Sequence, residues 1–319
     1  MIQQTLKARS EHRDHEWAVI LAGGDGTRLK TLTRQITGDE RPKQFCSVLG
    51  HNTLLENTRE RAAMEIAAAR TLYVVNRAHE SYYAPILACE ISANLVVQPC
   101  NRGTAPAILY SLLRIAARDP QAIVTFFPSD HYISDNLKFM NQIRVAIDSA
   151  RDRRDLVVLL GLDPETPEVE YGWIEPAELV RGHAKIFRVR RFWEKPNKMH
   201  AQVLQLRGCL WNSFVMVASV QALLEILECA LPELYHSFAD IVPSFSTAAE
   251  AKMIEALYGR LADANFSHQV LALKPDRLAV LKVSGVRWND LGEPQRVMAS
   301  LDMAGVRPHW LNATTPIFA

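Results

Sequence analysis

Gly23, Gly24 and Gly26 stand directly after the apolar run 17–21 and lead into Thr27 and Arg28. Glycines let backbone N–H groups approach an anion with no Cβ in the way. Arg28 adds a fixed charge and a planar fork of donors suited to phosphate oxygens. Two better-known phosphate loops are excluded. GxxxxGK[ST] is absent, and from Gly24 the last glycine of GxGxxG falls on Leu29. A tight turn closing a strand–helix unit would explain the glycines but not Thr27 and Arg28. Fifteen residues beyond Arg28, Pro42 stiffens the approach to Lys43. A lysine held near such a loop can neutralise charge building on a transferring phosphoryl group. Taken alone, Lys43 reads as a solvated surface side chain.

Two aspartates follow apolar runs. Asp130 comes after 122–127 and Asp290 a short turn after 278–283. Mg²⁺ takes one or two protein carboxylates and fills its octahedron with phosphate and water, so two such residues can share an ion. The competing role for Asp130 is a helix cap, for which Ser134 and Asp135 are better placed. Asp163, Glu165, Glu168 and Glu170 interleave with prolines and read as a solvated loop. Glu194-Lys195-Pro196 closes an arginine-rich strand and by itself is an exposed ion-pair segment.

The elements that must position these groups alternate. Continuous apolar runs at 17–21, 71–76, 94–98, 122–127 and 156–161 predict strands buried on both faces. Helical patterns at 53–69, 105–118 and 136–150 lie between several of them. The alternation implies an α/β domain with a Rossmann-like, mostly parallel central sheet flanked by helices. In such sheets ligands bind beyond the carboxyl ends of the strands. Further along, 186–193, 209–218 and 278–283 read as strands and 220–230 as a helix that Pro232 ends.

The composition is that of an ordinary globular chain. Charged residues are 22% of 319, and 36 Lys plus Arg against 35 Asp plus Glu give a net charge of +1. Nothing points to a nucleic-acid binder. No apolar run reaches the length of a membrane span, and residues 1–16 lack the apolar stretch of a secretory signal. Five scattered cysteines without CxxC (Cys46, Cys89, Cys100, Cys209 and Cys229) predict buried thiols in a reducing cytoplasm. His12 and His15 are expected in a frayed tail rather than on a metal. The expected organisation is a tail over 1–16, a catalytic domain over 17–305 and a C-terminal tail over 306–319.

Residues 21–29 followed by Pro42-Lys43-Gln44-Phe45 resemble the signature of the sugar-phosphate nucleotidyltransferases, most nearly the mannose-1-phosphate guanylyltransferases. Further matches follow in the family's order. They are Pro99; Arg102 with Thr104 to Ala107; Pro128-Ser129-Asp130-His131; Tyr171-Gly172; Glu194-Lys195-Pro196; Trp211-Asn212-Ser213; and Trp288-Asn289-Asp290.

The resemblance implies nucleotidyl transfer from an NTP such as GTP to a sugar 1-phosphate such as mannose 1-phosphate, with Mg²⁺ on Asp130 and Asp290. It makes Arg28, Lys43 and Lys195 catalytic. It puts the nucleotide on Leu21, Ala22, Gly23, Gly24, Gly26, Thr27, Arg28, Arg102, Thr104, Ala105, Pro106 and Ser129. It puts the sugar on Gly172, Glu194, Lys195, Asn212 and Phe214, and leaves His131 between positioning and chemistry. Partners would be small molecules, with a second copy of the chain as the one macromolecular candidate. Residues 265–319 would complete the core and support a dimer. A non-catalytic nucleotide-sugar-binding regulator of the same fold and a nucleotide-sugar-dependent glycosyltransferase stay open.

Three departures stand out. Lys30-Thr31 replaces the usual Trp-Pro, the segment 35–41 is longer, and Phe214 takes the place of a glycine. Strand alternation puts Phe214 on the side of Asn212, which predicts a ring lining the sugar pocket unless a bulge intervenes.

Overall fold

The apolar runs become strands because each of their faces meets a helix layer. The computed structural model describes residues 13–312. Its strands are Glu16–Leu21 (β1), Thr71–Asn76 (β2), Leu95–Gln98 (β3), Ile123–Pro128 (β4), Tyr132–Ile133 (β5), Val157–Leu162 (β6), Gly172–Leu179 (β7), Ile186–Glu194 (β8), Leu210–Ser219 (β9), Leu278–Val283 (β10) and Trp288–Asn289 (β11). Among the described residues, nine of these form one sheet in the order β3-β2-β1-β4-β9-β6-β10-β8-β7, and β11 pairs separately with β5. β1 is parallel to β2 and β4, β2 to β3, and β6 to β10. β9 runs antiparallel to both β4 and β6, and β8 to both β10 and β7. Within that sheet only β8 and β9 therefore run against β1, and the expected mostly parallel sheet holds. β7 also pairs with Leu210 and Trp211 of β9, which folds that half of the sheet back on itself.

Alternation along β1 divides the core. Trp17 and Val19 face one layer, where Ile108, Leu112 and Leu223 come from the helices Thr104–Arg118 and Val220–Ala230. Ala18 and Ile20 face the other, with Leu55, Phe139 and Ile143 from Leu54–Ala63 and Asn136–Asp152. Burying a large apolar side chain of this kind contributes about 1.5–3 kcal/mol. Local signals fix the helix starts. Thr53 and Glu56 form a capping box, and the Asp135 carboxylate accepts from the Lys138 N–H at 2.9 Å, the cap expected there.

Several expectations need correction. The helix read over 53–69 stops at Ala63, and buried Ile66 turns the chain toward β2. Pro232 ends one helix but starts the next, Pro232–Ala239, where a first-turn proline loses no hydrogen bond. Neither tail boundary is where it was drawn. Glu16 is buried against Arg144, His15 hydrogen-bonds Asp119 at 2.8 Å, and Trp310 packs with Leu29, Leu32 and Leu54. His12 lies outside the described residues. Cys46 and Cys209 are buried, and burial pushes each thiol up to about 11. Cys100 is only half-buried, and Cys89 and Cys229 are exposed, so the uniformly buried thiols expected are not found.

Candidate active site

Strand order reverses at β1, with β2 on one side and β4 on the other, and the crevice beyond their carboxyl ends is where such sheets bind ligands. The glycine loop leaves β1 there. Gln44 Nε2 donates to the carbonyls of Ala22 (3.1 Å) and Gly24 (2.7 Å), pinning the loop against Pro42–Gln44. Gly26 has φ 58°, and a Cβ on it would sit 3.1 Å from the Lys43 nitrogen. Only glycine meets both demands at low cost. Ser129 Oγ donates to the Leu21 carbonyl at 2.7 Å and ties the end of β4 to the same wall. The cleft has a volume of about 350 Å³, with Gly23, Gly24, Gln98, Thr104, Ser129 and Phe214 among its lining residues. A recess of about 200 Å³ beside it is lined by Gly26, Thr27, Arg28, Lys43 and Asp130.

Some residues expected in contact with nucleotide lie behind the wall. Ala22 is buried and its N–H donates to the Val74 carbonyl. Ala105 and Pro106 are buried in the first turn of their helix, and the Ala105 N–H is taken by the Ala264 carbonyl. Arg102 donates from Nε to the Tyr258 carbonyl and lies 3.5 Å from Asp263, so its fork braces a neighbouring helix rather than the cleft. Asn101, with no role expected, lines the cleft instead.

The acidic pair is assembled by the small β5–β11 ribbon, which sets Asn289 opposite Tyr132. Lys43 is buried between the two aspartates. Its Nζ lies 3.2 Å from Asp130 Oδ2 and donates to the carbonyls of Asp290 and Leu291. It is not the solvated lysine its sequence context allowed. Asp290 Oδ1 accepts from Tyr171 Oη, Arg296 and the Gly292 N–H, which leaves Oδ2 with only Arg28 at 3.9 Å among the described residues. Burial pushes the Asp290 carboxyl up, but Lys43, His131 and Arg296 outweigh it and hold the group below the usual carboxylate range.

His131 is kept neutral chiefly by burial, with Asp130 opposing. Trp288 Nε1 donates to its Nδ1 at 3.2 Å, so the proton sits on Nε2, 3.6 Å from Asp130 Oδ1. That is a positioning geometry for Asp130. The donor set suits Mg²⁺. It offers two hard carboxylates, one on a half-exposed side chain and one with a weakly engaged oxygen. An ion held by one or two protein carboxylates takes its remaining ligands from phosphate and water.

At the far end, Glu194 lies opposite Gly172 across β7 and β8. A Cβ on Gly172 would fall 3.1 Å from Glu194 Oε2 and 2.8 Å from the Phe192 ring. The glycine therefore makes the room the carboxylate occupies. Burial raises the Glu194 carboxyl above the usual range, with Lys195 and His268 only partly opposing. Lys195 (φ 46°) holds positive φ at this end, as do Phe214 (φ 59°) in the cleft and Leu291 (φ 50°) beside Asp290, local backbone strain of the kind found at functional sites.

Phe214 overturns the alternation argument. Asn212 pairs with Gly161 and Met216 with Leu159, so β9 carries two extra residues between them. In that bulge Asn212 Oδ1 turns back to the Phe214 N–H and Ser213 Oγ donates to the Leu160 carbonyl. The Phe214 ring swings into the glycine-loop cleft and meets Phe266 edge-on at 6.5 Å. The ring lines a pocket, as expected, and that pocket is the one that holds the glycine loop.

Three functional candidates escaped the sequence. Glu168 pairs with Arg296 at 2.6 Å, and Glu170 lies 3.3 Å from both Arg28 and Lys195. Glu168 and Glu170 are therefore engaged with the site, whereas Asp163 and Glu165 are exposed as the solvated-loop reading expected. Arg296 stacks on Tyr171 at 4.7 Å and fixes Asp290. Its only sequence signal was a position six residues after Asp290.

The nucleotidyl transferase family model matches residues 17–302, most of the chain and every group described above. The chain belongs to that family. Among curated nucleotidyl transferase relatives, "Mannose-1-phosphate guanylyltransferase 2" of Escherichia coli O157:H7 is 29% identical, the match covering 87% of this chain and 58% of that protein. "Alginate biosynthesis protein AlgA" of Pseudomonas aeruginosa is 27% identical over 86% of this chain and 56% of its own length. The chain thus spans little more than half the length of these relatives. A solved structure described as a mannose-1-phosphate geranyltransferase from Thermus thermophilus superposes with a TM-score of 0.75 at 28% identity, covering 87% of this chain and 76% of that one. Among the described residues, no helix is long and apolar enough to cross a membrane.

Proposed function

We propose that the chain joins an NTP, preferentially GTP, to a sugar 1-phosphate, preferentially mannose 1-phosphate, giving the NDP-sugar and pyrophosphate. The observation that carries this reading is the gathering of Arg28, Lys43, Asp130, Asp290 and Lys195 around the crevice of the glycine loop. The names of the relatives support the choice of base and sugar.

A sugar-phosphate oxygen attacks the α-phosphorus and the bond to the bridging oxygen of pyrophosphate breaks in line. The attacking oxygen is already anionic near pH 7, so no general base is required. Catalysis is then positioning plus charge neutralisation. Arg28 and the amides of 23–26 hold the leaving pyrophosphate, and Lys43 moves from Asp130 to the α-phosphate. Lys195 aligns the sugar phosphate, while Glu194, Asn212 and the Gly172 backbone receive sugar hydroxyls. Asp130 and Asp290 Oδ2 would hold Mg²⁺, whose contribution when bound is to neutralise phosphate charge. The same reading makes the protein a cytoplasmic enzyme of small-molecule substrates, with a second copy of the chain its candidate macromolecular partner.

A matrix of NTPs against sugar 1-phosphates, read by pyrophosphate release, tests it. The expected best pair is GTP with mannose 1-phosphate. Preference for dTTP or UTP with glucose 1-phosphate would overturn the base and sugar and leave the reaction class standing. Binding without turnover for every pair would favour the regulatory alternative.

A further inference from the structure

Arg28 Nη1 and Lys195 Nζ converge on a single oxygen, Glu170 Oε2, at 3.3 Å each. Arg28 lies on the glycine loop and Lys195 at the end of β8, so two distant elements are joined through one carboxylate. That carboxylate is not a loose surface group. On one side Glu168 is fixed by Arg296 at 2.6 Å, and its carbonyl accepts from Trp173 Nε1 at 2.8 Å. On the other, buried Tyr171 gives its carbonyl to the Lys195 N–H at 3.2 Å. Glu170 is thereby held over the point where the two cations meet.

Its situation differs from that of Asp290, the other carboxylate near Arg28. Asp290 has three further donors, from Tyr171, Arg296 and Gly292. Among the described residues Glu170 is bonded only to the two cations.

We propose that Glu170 is an internal counter-anion. It holds Arg28 and Lys195 at phosphate spacing in the free protein, and an incoming substrate phosphate displaces it. The inference rests on the proposed reading of Arg28 and Lys195 as phosphate-binding groups. A carboxylate and a phosphate oxygen cannot share that point, because like charges at contact repel and both cations would have to divide their donors. Glu170 therefore sets a threshold for substrate binding. It lowers affinity and in return keeps the site's cations aligned while no substrate is bound.

The test is the dissociation constant of inorganic pyrophosphate, by titration calorimetry, for the full chain and for Glu170→Gln and Glu170→Ala. Both variants are expected to bind about threefold to tenfold more tightly, the size of one or two exposed ion pairs. The difference should narrow as salt is raised, and melting temperature should not move. KM for the NTP and for the sugar 1-phosphate should fall together. Equal or weaker pyrophosphate binding in both variants would overturn the proposal. If no NTP and sugar 1-phosphate pair gives turnover in parent or variant while Glu170→Gln still tightens pyrophosphate, the proposed function fails and the counter-anion stands.

Discussion

Lys43 is buried between the two aspartates, held there by Asp130 and by the carbonyls of Asp290 and Leu291. Its removal takes away charge that matters most as the transferring phosphoryl group develops its own. Lys43→Ala is expected to lower kcat by about 10² or more with a smaller change in KM, and Asp290→Asn to raise the Mg²⁺ concentration needed for half-maximal rate. Parent-like turnover of both at limiting Mg²⁺ would remove their assigned roles.

Glu194 supplies a pH test. Burial raises its carboxyl above the ordinary value of 4.5, so the protonated form persists to higher pH. A carboxylate that accepts sugar hydroxyls is complete only above that raised value. KM for sugar 1-phosphate should therefore climb as pH falls through it, and Glu194→Gln should flatten that limb. An unchanged profile in the variant would show that the titrating group lies elsewhere. Stability has the opposite sign, since a carboxyl raised in the folded state loses stability as pH rises from its unfolded value to its folded one. At this scale Arg28, Lys43, Asp130 and Asp290 were legible because each follows a strand or a stiffened turn. Glu168, Glu170 and Arg296 were not, because charged residues on loops and helices are common and only tertiary contact gives them meaning.

Strands with unbroken apolar runs were legible from sequence because burial on both faces removes all polar alternation. β7 was not, since its burial fades from Gly172 to Leu179 and its last two residues are exposed. The helix Lys30–Thr37 was not read either, because its apolar stripe is only Leu32 and Ile36, too short to stand out in sequence. β9 taught the sharper lesson. A period of two locates side chains only while register is kept, and the bulge between Asn212 and Met216 breaks it. Phe214 lines the same cleft as Gly23, Gln98 and Thr104. Phe214→Gly should thus shift KM for the NTP more than KM for the sugar 1-phosphate. The reverse order would return the ring to the sugar end.

At the scale of the molecule, the short helix His309–Asn312 is part of the fold. Trp310 is buried against Leu29 and Leu32, beside the loop that carries Arg28, and its Nε1 donates to the Val48 carbonyl at 3.2 Å. The sequence hid this because the segment is short and follows Pro308 with no periodic pattern. Trp310→Ala is expected to cost about 3 kcal/mol, read from the urea midpoint; an unmoved midpoint would make the segment the tail first expected.

The central claim joins the glycine loop, the acidic pair and the Glu194–Lys195 end into one reaction. It is tested most directly by incubating the chain with GTP, mannose 1-phosphate and Mg²⁺ and quantifying both products. The expected result is GDP-mannose and pyrophosphate in equal amounts, with both lost together in Lys43→Ala. Nucleotide bound but no nucleotide sugar formed, whatever NTP and sugar 1-phosphate are supplied, would contradict it.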